Sequence, residues 1–416
     1  GGTFTSDVSA YVPDGYIYNS ETKTVEPLGE TNAVAKIAGD DETTYYKTLA
    51  DAVTAADNTT VTLLKDTTEN VTIPTDKTLT LDLNGKTLSG GKNNDKAALL
   101  NNGTVTIKDS SATKTGTIKR EDDADKTGTS YYVIKNLGTM TIEQANVINN
   151  SGYKKTNPSG SMVGSSLICN GDSDDDKETT LTINDGVFDQ QNFIAIKNGT
   201  FGVLNVNGGK ITSQHSAIQN WYKADIKGGE ISGQLWTDAY TWAPNGVSAG
   251  ETKISGTTKF TGEIVMDITG SVKPTLEISG GEMNITNWRI TSAAANAGAK
   301  PVISGGLFST APEKAYLAEG HFIDATTNSN YPYCVTDQKP ESAPIAVTEN
   351  TEAAVHKDVK ADDKQAIQAA LDSGKTSVDG VANAVAPDSR VEIAQKSGVE
   401  YADLKNDDMI TVDIKV

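Results

Sequence analysis

Apolar residues along this chain fall at alternate positions in short runs, and each run ends at a small polar corner before resuming as Gly-x-apolar. The theme reads LTLDLNGKTL (79–88), LTINDGVF (181–188), LNVNGGKI (204–211), ADIKGGEI (224–231), LEISGGEM (276–283) and VISGGLF (302–308). Alternation sends one set of side chains to one side of an extended strand. A Gly pair, lacking Cβ, lets the chain turn sharply where one strand gives way to the next. The second glycines of the corners, Gly186, Gly209, Gly229, Gly281 and Gly306, are 23, 20, 52 and 25 residues apart, and KISGTTKF (253–260) supplies the corner missing from the longest interval. A repeat of about 20 to 28 residues is too short for a propeller blade of ~40 to 45, and the helix pattern of ankyrin or tetratricopeptide units is missing. The spacing predicts a parallel β-helix of about nine coils. Its lumen is expected to stack Ile107, Ile142, Ile183, Val206, Ile226, Ile254, Ile278 and Ile303.

A second register runs with the first. AALLN, YVIKN, SLICN, IAIKN and SAIQN end at Asn101, Asn136, Asn170, Asn198 and Asn220. Their spacing predicts a ladder of side-chain amides bonded from coil to coil; five ligand-binding amides is the competing reading.

Three regions follow from the pattern. Residues 1–39 read as a closing segment and linker. Residues 40–337 hold a capping helix over 40–57, with Tyr46, Leu49, Ala50, Val53 and Ala56 on its apolar face, then the coils and a closing strand pair over 322–337. Residues 338–416 change composition and read as a linker and small α+β domain, with helices over 361–374 and 379–385 and strands over 390–396 and 409–416. GGTFTSDVSAYVPDGY (1–16) matches GGLFSTAPEKAYLAEGH (305–321) with one residue inserted. The chain therefore reads as an excerpt from a tandem protein whose signal and anchor lie elsewhere.

Composition narrows the function. A net charge of −19 argues against nucleic acid and anionic membranes, because binding to either rests on Lys and Arg. Two cysteines, Cys169 and Cys334, are too few for a disulfide framework. Long intervals such as the 35 residues from Ile107 to Ile142 and the 41 from Ile142 to Ile183 imply loops at 121–130, 151–164 and 171–178. In the last of these, Asp172, Asp174 and Asp176 resemble the start of a calcium loop but lack its Gly and closing Glu. A solvated acidic loop and weak calcium binding are the two readings, and no metal or other cofactor is assigned.

The aromatic residues bunch. Trp221 and Tyr222 follow a ladder Asn, and Trp236, Tyr240 and Trp242 fall in QLWTDAYTWAPNG (234–246), read as one extruded loop. Exposed aromatic faces stack on sugar rings while neighbouring amides and carboxylates bind hydroxyls. These five residues are the candidate ligand site, against the alternative of a private small core. Outward Thr pairs at 104/106, 139/141 and 180/182 form an array of the kind that matches ice or a crystalline glycan, or simply good exposed strand residues. The outward register before the core column reads Asp82, Thr106, Thr141, Thr182, Asn205, Asp225, Lys253 and Glu277. Asp225 and Glu277 fall two coils apart with Lys253 between them, which fits either a salt bridge or the separated acids of an inverting hydrolase. His215, His321 and His356 pair with no visible nucleophile.

LLKDTTENVTIPTDKTLTLDLNGKTLSG (63–90), the ISGG-x-F closures and the duplicated GGTF/GGLF endings resemble the pectin-lyase-like right-handed parallel β-helix modules of large secreted or wall-attached surface proteins of gut Gram-positive bacteria. The resemblance covers about residues 45 to 337. It implies an extracellular or cell-wall location and an adhesin or stalk that meets a glycan, a host or bacterial surface protein, or further copies of itself in the same chain. The catalytic motifs of pectate lyases and polygalacturonases are not matched, so no catalytic residue is assigned. A lyase or glycoside hydrolase with a groove along one face is the alternative.

Overall fold

The computed structural model describes residues 2–338 apart from 92–95, 121–131, 150–165, 172–176, 191–192, 241–247 and 269–271, and beyond them the strands Thr348–Glu349, Val391–Ile393 and Val412–Ile414. The chain is mainly β, with one long and mostly parallel sheet system. Gly1–Asp337 forms one compact unit and Gln338–Val416 another.

The parallel pairing repeats every third strand. Leu99–Asn101, Thr104–Lys108 and Thr117–Arg120 pair respectively with Ile134–Asn136, Thr139–Ile142 and Ala145–Asn149. Those three pair in turn with Ile168–Asn170, Thr179–Ile183 and Gly186–Gln190. Successive turns therefore stack like a solenoid, and equivalent residues pile up in columns. Leu81, Ile107, Ile142, Ile183, Val206, Ile226, Ile254, Ile278 and Ile303 form one unbroken column of register partners. None of them is more than 1% exposed, so the alternation in sequence has become an aliphatic spine. The five corner glycines and Gly256 all adopt positive φ.

The asparagines bond as the spacing predicts. Asn101 Nδ2 donates to Asn136 Oδ1 at 2.7 Å, Asn136 to Asn170 at 2.7 Å, Asn170 to Asn198 at 2.7 Å and Asn198 to Asn220 at 2.8 Å. Asn220 then donates to Thr252 Oγ1, which bonds Thr237 Oγ1. Threonine thus continues a polar column that reads in sequence as ending at Asn220.

Several expectations are corrected. The helix is Leu49–Ala55 alone, and Tyr46 lies on the strand Thr43–Tyr46. Ala52 takes the buried place expected of Ala50. The Thr48 side chain accepts from Asp51 N, and the Glu69 carboxylate accepts from Leu49 N and Ala50 N, fixing where the helix starts. Ala35–Ala38, read as linker, is a strand pairing antiparallel with both Thr43–Tyr46 and Thr59–Leu63. Asp82 faces Lys108, and Thr80 is the true partner of Thr106. The strand pair expected over 322–337 is present, Phe322–Ala325 pairing antiparallel with Tyr333–Thr336. In the second unit Val391–Ile393 and Val412–Ile414 pair antiparallel; the helices expected there lie outside the described residues, as do the loops at 121–130 and 151–164 and Asp172–Asp176.

Asp109 holds a corner that sequence alone does not reveal. Only 2% exposed, its carboxylate accepts from Gly85 N at 2.8 Å, Ser111 N at 2.9 Å and Gly116 N at 2.6 Å. Burial works to raise its pKa, but these N–H groups outweigh burial and hold it below the usual 3.8. A depressed folded pKa stabilises the fold above the ordinary carboxylate value, and that contribution is lost as pH falls through the folded pKa. Asp109→Asn should lower stability by about 2 kcal/mol at pH 7, since bonds to a charged group are worth ~1.5 to 3. Melting curves from pH 7 to pH 3 should show the gap between variant and parent narrowing toward the acid end.

Candidate functional site

The residue preceding each ladder position faces outward, and register links Leu100, Lys135, Cys169, Lys197, Gln219, Trp236, Val265 and Arg289 in one column. Two aromatic residues of the candidate site meet cations from this column. Lys197 Nζ stands 4.7 Å from the ring centre of Trp221, which is 9% exposed. Arg289 Cζ stands 5.7 Å from that of Trp236, and Val265 between the two strands is fully buried despite facing outward. Tyr222 packs at 5.6 Å against Phe201, with Lys223 Nζ 4.7 Å from its ring.

Trp236 is not on an extruded loop. It belongs to the strand Glu230–Tyr240, which also carries Tyr240 and pairs with Lys259–Ile268. Trp242 lies outside the described residues. Trp221 is buried rather than offered as a platform, whereas Trp236 is half-buried and its Nε1 has no hydrogen-bond partner among the described residues.

Around Trp236 the strands assemble a polar group that sequence reading did not identify. Glu263 accepts from Arg289 Nε at 3.2 Å and Nη2 at 3.4 Å, from Asn287 Nδ2 at 2.7 Å and from Gln234 Nε2 at 2.5 Å. Gln234 Oε1 accepts from Ser216 Oγ, which bonds His215 Nδ1 at 2.8 Å, and His215 stacks on Phe193. Burial raises the Glu263 carboxyl, yet the Arg289 guanidinium and the two amides overcome it and hold the pKa low. His215 is pushed down by burial and then by Arg289, against the pull of Glu263, which keeps the imidazole neutral near pH 7.

No protein-family model, curated protein or solved structure matches this chain. The chemistry of the site must therefore be read from its own atoms. A carboxylate offers about four lone-pair sites, and four donors already occupy those of Glu263, so it is a poor general base. Asn287 and Arg289 are exposed and Trp236 is half-buried beside Arg289, a set suited to holding hydroxyl groups.

The carboxylates singled out as a separated acid pair behave as ion pairs. Asp225, Lys253 and Glu277 are register neighbours as expected; Lys253 Nζ lies 3.8 Å from Glu277, while Asp225 pairs with Lys227 at 2.7 Å. All four are well exposed, so each pair contributes at most about 1 kcal/mol. The Thr array holds register over four turns, since Thr78 and Thr80 lie beneath Thr104 and Thr106, and it stops at Val203 and Asn205. Cys169 and Cys334 are not joined in a disulfide. Among the described residues no group of three or more His, Cys, Asp or Glu is placed to hold a metal ion.

Proposed function

We propose that residues 40–337 form a right-handed parallel β-helix of about nine coils, capped by the helix Leu49–Ala55 and closed by the hairpin of 322–336. In this reading it is a rigid, non-catalytic module of an extracellular bacterial surface protein of the pectin-lyase-like kind, and it presents a lateral patch to a glycan. The observation that carries the reading is the amide ladder from Asn101 to Asn220, prolonged through Thr252 and Thr237. A bonded column running from turn to turn resists bending, which a stalk needs and an isolated binding pocket does not. Trp236, Asn287 and Arg289 supply the patch, with Glu263 fixing the guanidinium over the ring.

A glycan array probed with the full chain tests the reading. Binding to at least one neutral glycan is expected, and Trp236→Ala combined with Arg289→Ala should weaken it at least tenfold, about 1.4 kcal/mol, the scale of one lost aromatic contact. A blank array, or unchanged affinity in the double variant, removes the patch from the proposal.

A further inference from the structure

The two copies of the GGTF/GGLF segment fold alike. Ser9–Tyr11 and Lys314–Tyr316 are each a single 3-10 turn, closed by Tyr11 N to Val8 O and Tyr316 N to Glu313 O, both at 2.9 Å. Gly15 and Gly320 both sit at φ +75°. A hairpin follows each: Tyr16–Asn19 with Thr24–Pro27, and Phe322–Ala325 with Tyr333–Thr336. Even the return contact repeats, Thr3 bridging Thr24 as Leu307 pairs with Cys334.

What differs is what they cover. In the later copy Phe308 is 1% exposed and Val335 5%, Leu317 bridges Ile303, and Tyr316 packs on Trp288 with ring centres 5.3 Å apart. In the first copy the equivalents Phe4, Val12 and Val25 are only half-buried, and Tyr11 is 87% exposed. The buried core includes Phe308 and Val335, with Leu317 and Ile323 packed on it, but among the described residues no residue before Ala33.

We propose that residues 1–27 are a closing element whose apolar face, centred on Tyr11 and Phe4, seats on the open last turn of a second copy of the parallel stack. The occupant is identified by the later copy, in which the same fold meets a turn ending in Trp288 and Ile303. One bond is lost in the first copy, because Pro13 stands where Ala318 N donates to Ile303 O. The inference rests on the β-helix reading above.

The test compares three proteins, each carrying Tyr11→Cys and Cys334→Ser where those positions occur. One is the full chain, one is the full chain with residues 46–304 added ahead of residue 1, and the third places residues 46–337 ahead of residue 28. Maleimide labelling at position 11 should be at least tenfold slower in the second protein than in the first, with the added copy resistant to protease. Equal labelling rates overturn the proposal. So does a protease-sensitive added copy in the second protein beside a resistant one in the third. Sensitivity of the added copy in the third protein would instead count against the β-helix module itself, and the proposal would fall with it.

Discussion

Asn136→Leu is expected to lower the unfolding free energy by about 3 kcal/mol, measured by urea titration. Asn136 is fully buried, and its amide makes five bonds: one from Asn101, one to Asn170, two to the carbonyls of Gly138 and Thr180, and one from Gly138 N. Leucine matches the volume but leaves Gly138 N and Asn170 Oδ1 without these partners, and each orphaned buried group costs ~1 to 3 kcal/mol. Asn207, exposed and with its side chain bonded to Asn184 at 2.9 Å, provides the contrast. Asn207→Ala should stay within about 0.5 kcal/mol. Because each turn touches only its neighbours, damage at Asn136 should stay local. Hydrogen exchange should accelerate first over 134–142 and 168–183, and last over 276–303. A loss under 1 kcal/mol, or uniform acceleration, would mean that the aliphatic columns alone hold the turns together.

The features legible in the sequence are those that every turn must repeat. The column through Ile107 takes an aliphatic residue at every turn and the ladder favours an amide, so Ile107 to Ile303 and Asn101 to Asn220 announce themselves by spacing. Features used once are harder to see. The helix reads too long because Asp40, Asp41 and Glu42 imitate a helix start, although Thr43 to Tyr46 are residues that favour strands; the Thr48–Asp51 spacing was the available sign of the true cap. Trp236 reads as loop because Thr237 replaces the ladder asparagine, which hides the register. Carrying the column one turn further would have aligned Trp236 with Gln219. The contact between Glu263 and Arg289 lay deeper, since the register slips at the bulge between Gly262 and Glu263 before Val265 meets Arg289. Pattern counting does not see a one-residue slip, yet such a slip re-aims side chains.

Gly186→Ala should cost more than about 3 kcal/mol, well beyond the ordinary cost of fixing alanine at positive φ. Gly186 sits at φ +127°, and a Cβ there would lie closer than 3.0 Å to the carbonyl oxygen of Ala145, a separation that real Cβ atoms do not show. Ala145 is its register partner on the preceding turn, so the methyl would push apart the pairing of Ala145–Asn149 with Gly186–Gln190. Gly298 separates the two causes. Its φ is +73°, but a Cβ there meets nothing within 4 Å. Gly298→Ala therefore carries only the conformational term, about 1 to 2 kcal/mol. The difference between the two variants, read from urea midpoints at equal m-value, combines the close approach of stacked turns with the harsher dihedral at φ +127°. Equal losses would show that these corners need glycine for its dihedral freedom alone, and that the spacing of the stack tolerates a methyl group between one turn and the next.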